Sequence, residues 1–281
     1  MRQIRETRVV RRAMATACGL ALAAAGGAHA LTATTEPVPN SMAALGDSIT
    51  RAFTDCGTVA DCPRDSWSTG TNRAIDSHYH RILRINPAIR GHNYNLAVSG
   101  AQVADLRGQA AAAAADNVDY VTILIGANDA CAATVGAMTP ITTFRADFAQ
   151  AMDSISTGLP NARIFVASVP DLYRLWQLAS PIHHARAIWK FFNVCQSILS
   201  NPLSMSPAAM ERRQDVVQRV MDYNIQLAEE CALHAHCKFD DNAVFNRKFP
   251  LSDLGTIDYF HPNAQGQTAL AKVTYKAGFG W

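Results

Sequence analysis

The sequence lacks several features that would place it in a large class of proteins. After residue 30, no apolar run approaches the roughly 18 residues that a membrane-spanning helix needs. No internal repeat is visible, and the only low-complexity segment is Ala110–Ala115. The Gly-x-x-x-x-Gly-Lys motif that binds nucleotide phosphates is also absent. These absences argue against a polytopic membrane protein, a repeat protein and a P-loop nucleotide hydrolase.

The first 30 residues have the composition of a secretory signal peptide. Five arginines within residues 1–12 precede an apolar stretch from Ala13 to Gly27, and Ala28-His29-Ala30 fits an A-x-A cleavage site. We therefore expect cleavage after Ala30 and a secreted or extracytoplasmic protein. Residues 31–281 have a length that suits a single domain.

Charge gives no support for a nucleic-acid partner. Residues 1–30 hold five basic residues and one acidic residue, so their removal lowers Lys+Arg from 25 to 20 and Asp+Glu from 23 to 22. The net charge then changes from +2 to −2. The basic character belongs to the predicted signal peptide, and we expect no nucleic-acid binding.

Six cysteines remain after residue 30, and an even number in an exported chain indicates three disulfides. The close spacing predicts two local loops, Cys56–Cys62 and Cys231–Cys237, and leaves Cys131–Cys195 as a longer link, although the sequence alone permits other pairings. Two histidines stand near the last pair, but in an exported protein a disulfide is the more common use of such thiols. We predict neither a metal nor a cofactor.

Short apolar runs alternate with longer amphipathic segments, which is the pattern of a parallel β-sheet with helices between its strands. The third run, Val121–Ile125, is almost continuously β-branched or aliphatic, as expected for a strand covered on both faces. The sequence predicts five strands, at Ser41–Leu45, Asn93–Ala97, Tyr120–Ile125, Ile164–Val169 and Lys238–Phe239. It predicts five helices, at Thr71–Ile85, Gln102–Ala115, Thr142–Thr157, Pro207–His234 and Pro262–Lys276.

Residues 171–206 do not follow this alternation. They are rich in aromatic and aliphatic side chains, and they are long for a connection between a strand and a helix. Long insertions in compact domains are often binding loops, so this one is a candidate acyl-binding lid. A satellite helix that adds to the core explains the same residues, and the sequence does not choose between the two.

Four clusters with chemical potential follow predicted strands or lie near the carboxyl terminus. They contain Ser48, Gly100, Asn128 and the Asp258–His261 segment. In open α/β sheets, ligands bind at the carboxyl ends of the strands. Each cluster alone is also ordinary turn or helix-cap chemistry. Their joint occurrence at strand ends predicts one site.

The residue types suit acyl transfer through a serine nucleophile. Ser48 needs a base within hydrogen-bond reach, and His261 is the best candidate because Asp258, three residues earlier, can bind Nδ1 and leave Nε2 for the serine. The backbone N–H groups of Ser48 and Gly100 and the side-chain amide of Asn128 would supply three donors to an oxyanion.

These blocks resemble those of the GDSL or SGNH hydrolase family, from about Ala43 to Ala271. Its four name-giving residues fall on Ser48, Gly100, Asn128 and His261, and Ile49 replaces the leucine of the name. The segments most similar to the secreted lipase/esterase and phospholipase B-like members are Asn95–Ala101, Ile125–Cys131 and Asp258–His261. The resemblance implies a flavodoxin-like three-layer α/β/α sandwich with a five-stranded parallel sheet of order 2-1-3-4-5. It implies Ser48 as nucleophile, His261 as base and Asp258 as the residue that orients it.

The predicted activity is that of a secreted serine carboxylic ester hydrolase. We expect it to act on a small-molecule or lipid ester, preferably a lipid acyl ester, as a monomer with transient contact to a lipid surface. Three alternatives stay open: a carbohydrate O-acetyl esterase, an acyltransferase with the same catalytic residues, and a non-catalytic lipid- or glycan-binding relative. The family spans several substrate classes, so the resemblance defines the reaction better than the substrate.

Overall fold

The computed structural model describes residues 37–281, and the predicted signal peptide lies outside them. A five-stranded sheet of order β2-β1-β3-β4-β5 forms the centre, and every neighbouring pair of strands is parallel. The predicted fold class and strand order are confirmed. The strands are β1 (Met42–Gly46), β2 (Asn93–Asn95), β3 (Tyr120–Leu124), β4 (Arg163–Val166) and β5 (Cys237–Phe239).

Helices cover the sheet, since every residue of the two central strands β1 and β3 is buried. Helix α2 packs against α4, and α4 packs against α8, while α1 and α9 meet through a 2.8 Å hydrogen bond between His78 Nε2 and Thr274 Oγ1. The helices of the described residues are α1 (His78–Ile85), α2 (Leu106–Ala115), α3 (Ala127–Ala130), α4 (Ile141–Gly158), α5 (Leu172–Ala179), α6 (His183–Phe191), α7 (Gln196–Leu199), α8 (Pro207–Cys231) and α9 (Ala264–Ala277).

The predicted helix Thr71–Ile85 is half wrong, because its first seven residues lie outside the helix and include a turn at residues 73–75. Asp76 has a φ of +51°, which interrupts a right-handed helix. The following residue, Ser77, caps α1 by accepting the N–H of His80. At the other end of the chain, α9 begins two residues later than predicted, because the Asn263 side chain caps it by accepting the N–H groups of Gln265 and Gly266.

Residues 171–206 contain helices α5, α6 and α7, so the insertion is largely helical. The structure joins Cys56 to Cys62, Cys231 to Cys237 and Cys131 to Cys195. The last bond connects the residue after α3 to the residue before α7, with Cα atoms 4.3 Å apart. It therefore fastens the insertion beside the carboxyl end of β3.

Two observations on residues 37–281 concern membranes and metals. No helix in this range has both the length and the hydropathy needed to cross a bilayer. One group in the same range, Cys56, Cys62 and Asp65, is compact enough for metal ligands. The two cysteines of this group form a disulfide with each other, so their sulfur atoms are not available as thiolate ligands.

Candidate active site

Ser48 lies on the turn that leaves β1 at the carboxyl edge of the sheet. The turn begins at Gly46, whose φ is +144° and where a Cβ atom would collide with the carbonyl oxygen of Leu124 on β3. Only glycine fits this position, because L side chains rarely adopt the backbone conformation and there is no space for one. Asp47 Oδ1 accepts the N–H of Ile49 at 2.8 Å and fixes the turn. The turn therefore fixes the position of Ser48, and only 8% of the residue is exposed.

His261 lies between Ser48 and Asp258 in hydrogen-bond contact with both. Its Nε2 is 2.8 Å from Ser48 Oγ, and its Nδ1 is 2.6 Å from Asp258 Oδ2. Asp258 Oδ1 accepts the backbone N–H groups of Phe260 and His261 at 2.9 and 3.0 Å. Burial alone would raise the pKa of Asp258, but the hydrogen bond and charge of His261, together with these N–H donors, outweigh burial and lower the pKa. The carboxylate is thus charged and holds the imidazole in one orientation.

Gly100 and Asn128 line an open cleft of about 370 Å³ together with Ser48 and His261, which we call the oxyanion cleft. Gly100 has a φ of +87° and no atom in reach of a Cβ, so its backbone is open to the cleft. Asn128 donates one amide hydrogen from Nδ2 to the carbonyl oxygen of Ala101 at 2.9 Å. This bond orients the amide and leaves its second hydrogen for another acceptor.

The structure brings together all five residues that the sequence singles out: Ser48, Gly100, Asn128, Asp258 and His261. The arrangement can activate a hydroxyl and hold a developing oxyanion. Residues 44–269 match the model of the GDSL-like Lipase/Acylhydrolase family.

The chain belongs to this family. A comparison with curated protein sequences finds no match. Similar solved structures include an extracellular lipase from Streptomyces rimosus (18% identity, TM-score 0.48, 85% of this chain and 99% of that chain). A phospholipase A1 from Streptomyces albidoflavus is 15% identical, with a TM-score of 0.48 over 85% of this chain and 99% of that chain. A family two carbohydrate esterase from Clostridium thermocellum is 15% identical, with a TM-score of 0.50 over 85% of this chain and 64% of that chain.

Family membership makes the chain a serine ester hydrolase of the GDSL type. The carbohydrate esterase, at 15% identity and a TM-score of 0.50, supports the fold alone.

Trp189 supports the loop that carries Asp258 and His261. Its Nε1–H donates to the carbonyl oxygen of Asp258 at 3.2 Å, and the ring is buried. His184 of the same helix, α6, contacts Tyr259 with ring centroids 5.9 Å apart. The sequence gives no signal for these contacts, because the partners are about 70 residues apart and follow no motif. The insertion is thus attached to the candidate catalytic loop.

Two buried carboxyls adjoin the site. Burial raises the pKa of Asp47 to about 7, although the Ile49 N–H and His261 act in the opposite direction. Burial also raises the pKa of Asp129 to about 6, against the hydrogen bonds from Thr139 and the backbone of Val103. Asp129 follows Asn128 and holds the segment that carries Gly100 in place through Val103. Both carboxyls shape the site without touching Ser48 Oγ.

A second cavity, which we call the apolar pocket, also reaches Ser48 and Asn128. It encloses about 70 Å³. The insertion contributes Leu172, Leu175 and Leu178 to it. The charged residues on its wall have partners: Arg174 Nε donates to the carbonyl oxygen of Phe249, and Arg247 lies 3.7 Å from Asp253. Apolar side chains from elsewhere complete it, among them Ile49, Phe249, Leu254, Phe260 and Leu270.

Proposed function

We propose that this GDSL hydrolase is a secreted esterase that cleaves lipid acyl esters through an acyl intermediate on Ser48. The observation that carries the proposal is the apolar pocket, because it begins at the serine that would bear the acyl group. Narrow apolar cavities bind ligands that match their shape and polarity, and an aliphatic acyl chain does so. The export component rests on the signal-peptide pattern and on the three disulfides.

The first half of the reaction makes the acyl-enzyme. Ser48 Oγ attacks the ester carbonyl carbon while His261 Nε2 takes the hydroxyl proton over the 2.8 Å contact. Asp258 stabilises the resulting imidazolium through Nδ1. The carbonyl oxygen becomes an oxyanion, which accepts hydrogen bonds from the backbone N–H groups of Ser48 and Gly100 and from the Asn128 amide. The C–O bond to the alcohol then breaks, and the alcohol leaves with the proton from His261.

The second half of the reaction releases the acid. A water molecule in the oxyanion cleft gives a proton to His261 Nε2 and attacks the acyl carbon. The tetrahedral intermediate uses the same three donors. Its breakdown returns the proton to Ser48 Oγ and frees the carboxylic acid. We assign the acyl chain to the apolar pocket and the alcohol to the oxyanion cleft, because the cleft is open enough for a bulky headgroup.

The length of the acyl chain provides the test. The mature protein is assayed with p-nitrophenyl acetate, butyrate, octanoate and palmitate, and kcat/KM should rise from acetate to a medium or long chain. The variant Leu175→Trp fills the apolar pocket, so it should lose activity on the longer esters by about 10-fold or more while it retains activity on acetate.

A sharp preference of the wild type for acetate would contradict the lipid assignment and favour a carbohydrate O-acetyl esterase. Transfer of the acyl group to added alcohols in preference to water would identify an acyltransferase. Absence of labelling by a fluorophosphonate would identify a non-catalytic binding protein. Amino-terminal sequencing of the exported protein tests cleavage after Ala30.

A further inference from the structure

Two adjacent phenylalanines at the end of α6 are uncovered. Phe191 is 78% exposed and Phe192 is 64% exposed, and their rings touch edge to face with centroids 4.8 Å apart. Phenylalanine is usually buried, and a contiguous exposed apolar patch on a protein marks an interaction surface. The exposed residues Lys190 and Asn193 flank the pair, and we call Lys190–Asn193 the aromatic tip.

The residues directly before and directly after the aromatic tip both lie next to the oxyanion cleft. Trp189, directly before it, donates to the carbonyl oxygen of Asp258. Val194 and Cys195, directly after it, line the cleft together with Ser48, and Cys195 is bonded to Cys131. A surface on which the tip rests therefore also lies at the mouth of the cleft.

The backbone of the aromatic tip is held in this outward conformation. Asn193 and Cys195 have φ values of +52° and +42°, which residues with side chains adopt only where the surroundings hold them. The N–H of Val194 donates to the carbonyl oxygen of Trp189 at 3.0 Å, and the Gln196 side chain binds the carbonyl oxygen of Val194 at 3.2 Å. The two rings are thus presented by a fixed turn.

The charge around the aromatic tip differs in sign from that of the mature chain. Residues 172–210 contain Arg174, Arg186 and Lys190 and no aspartate or glutamate, whereas residues 31–281 have a net charge of −2. Arg174 and Arg186 bind backbone carbonyl oxygens, and Lys190 is exposed. The acidic side chains of adjoining elements either have other partners or lie away from the aromatic tip. Asp171 caps α5, Asp258 binds His261, and Glu211 and Asp215 line a separate depression with Arg212.

We propose that the aromatic tip docks on an anionic lipid surface, where Phe191 and Phe192 enter the interfacial region and Lys190 faces the acidic headgroups. Exposed aromatic side chains and nearby cations are the combination that binds such surfaces. The role of this docking rests on the proposed lipid esterase activity, because it brings the cleft to the place where lipid esters are concentrated.

The test measures binding to vesicles of ether-linked lipids, which an ester hydrolase does not cleave. Wild type should sediment with vesicles of dialkyl ether phosphoglycerol lipid and bind vesicles of dialkyl ether phosphocholine lipid more weakly. Phe191→Ala/Phe192→Ala should bind at least ~10-fold more weakly to both, because two buried rings are lost. Lys190→Gln should bind about five-fold more weakly to the anionic vesicles alone.

The matched control is Leu233→Ala, another exposed apolar side chain (70%). Leu233 lies before β5, at the amino-terminal edge of the sheet, whereas Ser48 lies at the opposite edge. This variant should bind vesicles as the wild type does. Circular dichroism verifies that every variant is folded. Hydrolysis of p-nitrophenyl acetate separates the two proposals: a wild type that binds vesicles but does not hydrolyse the ester contradicts only the esterase proposal.

Three results would overturn the docking proposal. One is equal vesicle binding by wild type and the double phenylalanine variant. Another is equal binding of wild type to anionic and neutral vesicles, which would remove the assignment to an anionic surface. The third is a wild type that self-associates and a double variant that is a monomer, with equal vesicle binding by both. A second copy of the chain would then be the partner that covers the aromatic tip.

Discussion

The two cavities that meet at Ser48 differ in origin and in character. The oxyanion cleft is open, and its polar groups come from the ends of β1, β2 and β3 and from the Asp258–His261 segment. The apolar pocket is narrow, and three of its leucines come from the insertion after β4. The proposed function divides the two roles: the sheet edge supplies the reacting groups, and the insertion selects the acyl group. Trp189 connects the insertion to the candidate catalytic loop, because it belongs to the insertion and donates to the carbonyl oxygen of Asp258.

The largest effect is expected from the serine that both cavities share. Ser48→Ala removes the proposed nucleophile but retains the proposed oxyanion donors, so kcat on p-nitrophenyl butyrate should fall by at least ~10⁴-fold. Steady-state kinetics with a folded variant, verified by circular dichroism, provides the measurement. A loss below ten-fold would mean that the reaction does not pass through an acyl-serine.

Asn128→Ala tests the oxyanion cleft separately from the apolar pocket. Removal of one oxyanion donor costs about 10²–10³-fold in kcat in comparable sites. The loss should be the same for acetate and octanoate, because in the proposed reaction the amide donates to the carbonyl oxygen that all esters share. A loss that grows with the acyl chain would place Asn128 in substrate selection and would break the proposed division.

Burial of the Asp47 carboxylate lowers the free energy of unfolding, and the Asp47→Asn variant measures by how much. Its folded-state pKa is raised from 3.8 to about 7, so the folded state binds more protons than the unfolded chain between these values. The cost of burying the carboxylate is therefore absent below about pH 4 and fully present above about pH 7. Relative to wild type, Asp47→Asn should gain on the order of 2–4 kcal/mol of unfolding free energy as the pH rises from 4 to 8.

The measurement is urea unfolding of both proteins at several pH values. The difference between variant and wild type is the useful quantity, because His78, whose pKa burial lowers to about 3, makes the wild type less stable under acidic conditions and so acts in the opposite direction. The exposed Asp116→Asn variant is the control for the loss of one carboxyl group at the surface. A flat difference for Asp47→Asn would contradict the assigned burial cost.

The smallest effect is expected from the link between the two regions. Trp189→Phe retains most of the buried ring but removes the hydrogen bond to the carbonyl oxygen of Asp258. The net value of such a bond is about 1 kcal/mol, so kcat should fall by about five-fold while KM for acetate is unchanged. Trp176→Phe is the matched control, because that indole donates to Pro202 and not to the catalytic loop. Equal effects of both variants would make Trp189 a packing residue only.

The sequence predicted the sheet and the residues around Ser48 because both depend on local patterns. Buried parallel strands produce short apolar runs, and a site at their ends leaves serine, glycine and asparagine directly after them. Helix α1 was predicted too long because the positive φ of Asp76 does not change the spacing of apolar residues in the sequence. The apolar pocket and the Trp189–Asp258 contact join residues from distant parts of the chain, so they follow from tertiary packing alone.

The proposed reaction requires a covalent acyl intermediate on Ser48, at the junction of the two cavities. The most direct test treats the mature protein with a fluorophosphonate that carries an octyl chain and maps the adduct by peptide mass spectrometry. We predict one adduct, on Ser48, and slower labelling of Leu175→Trp by the octyl reagent than by its methyl analogue. An adduct on another residue, or full labelling of Ser48→Ala, would contradict the account.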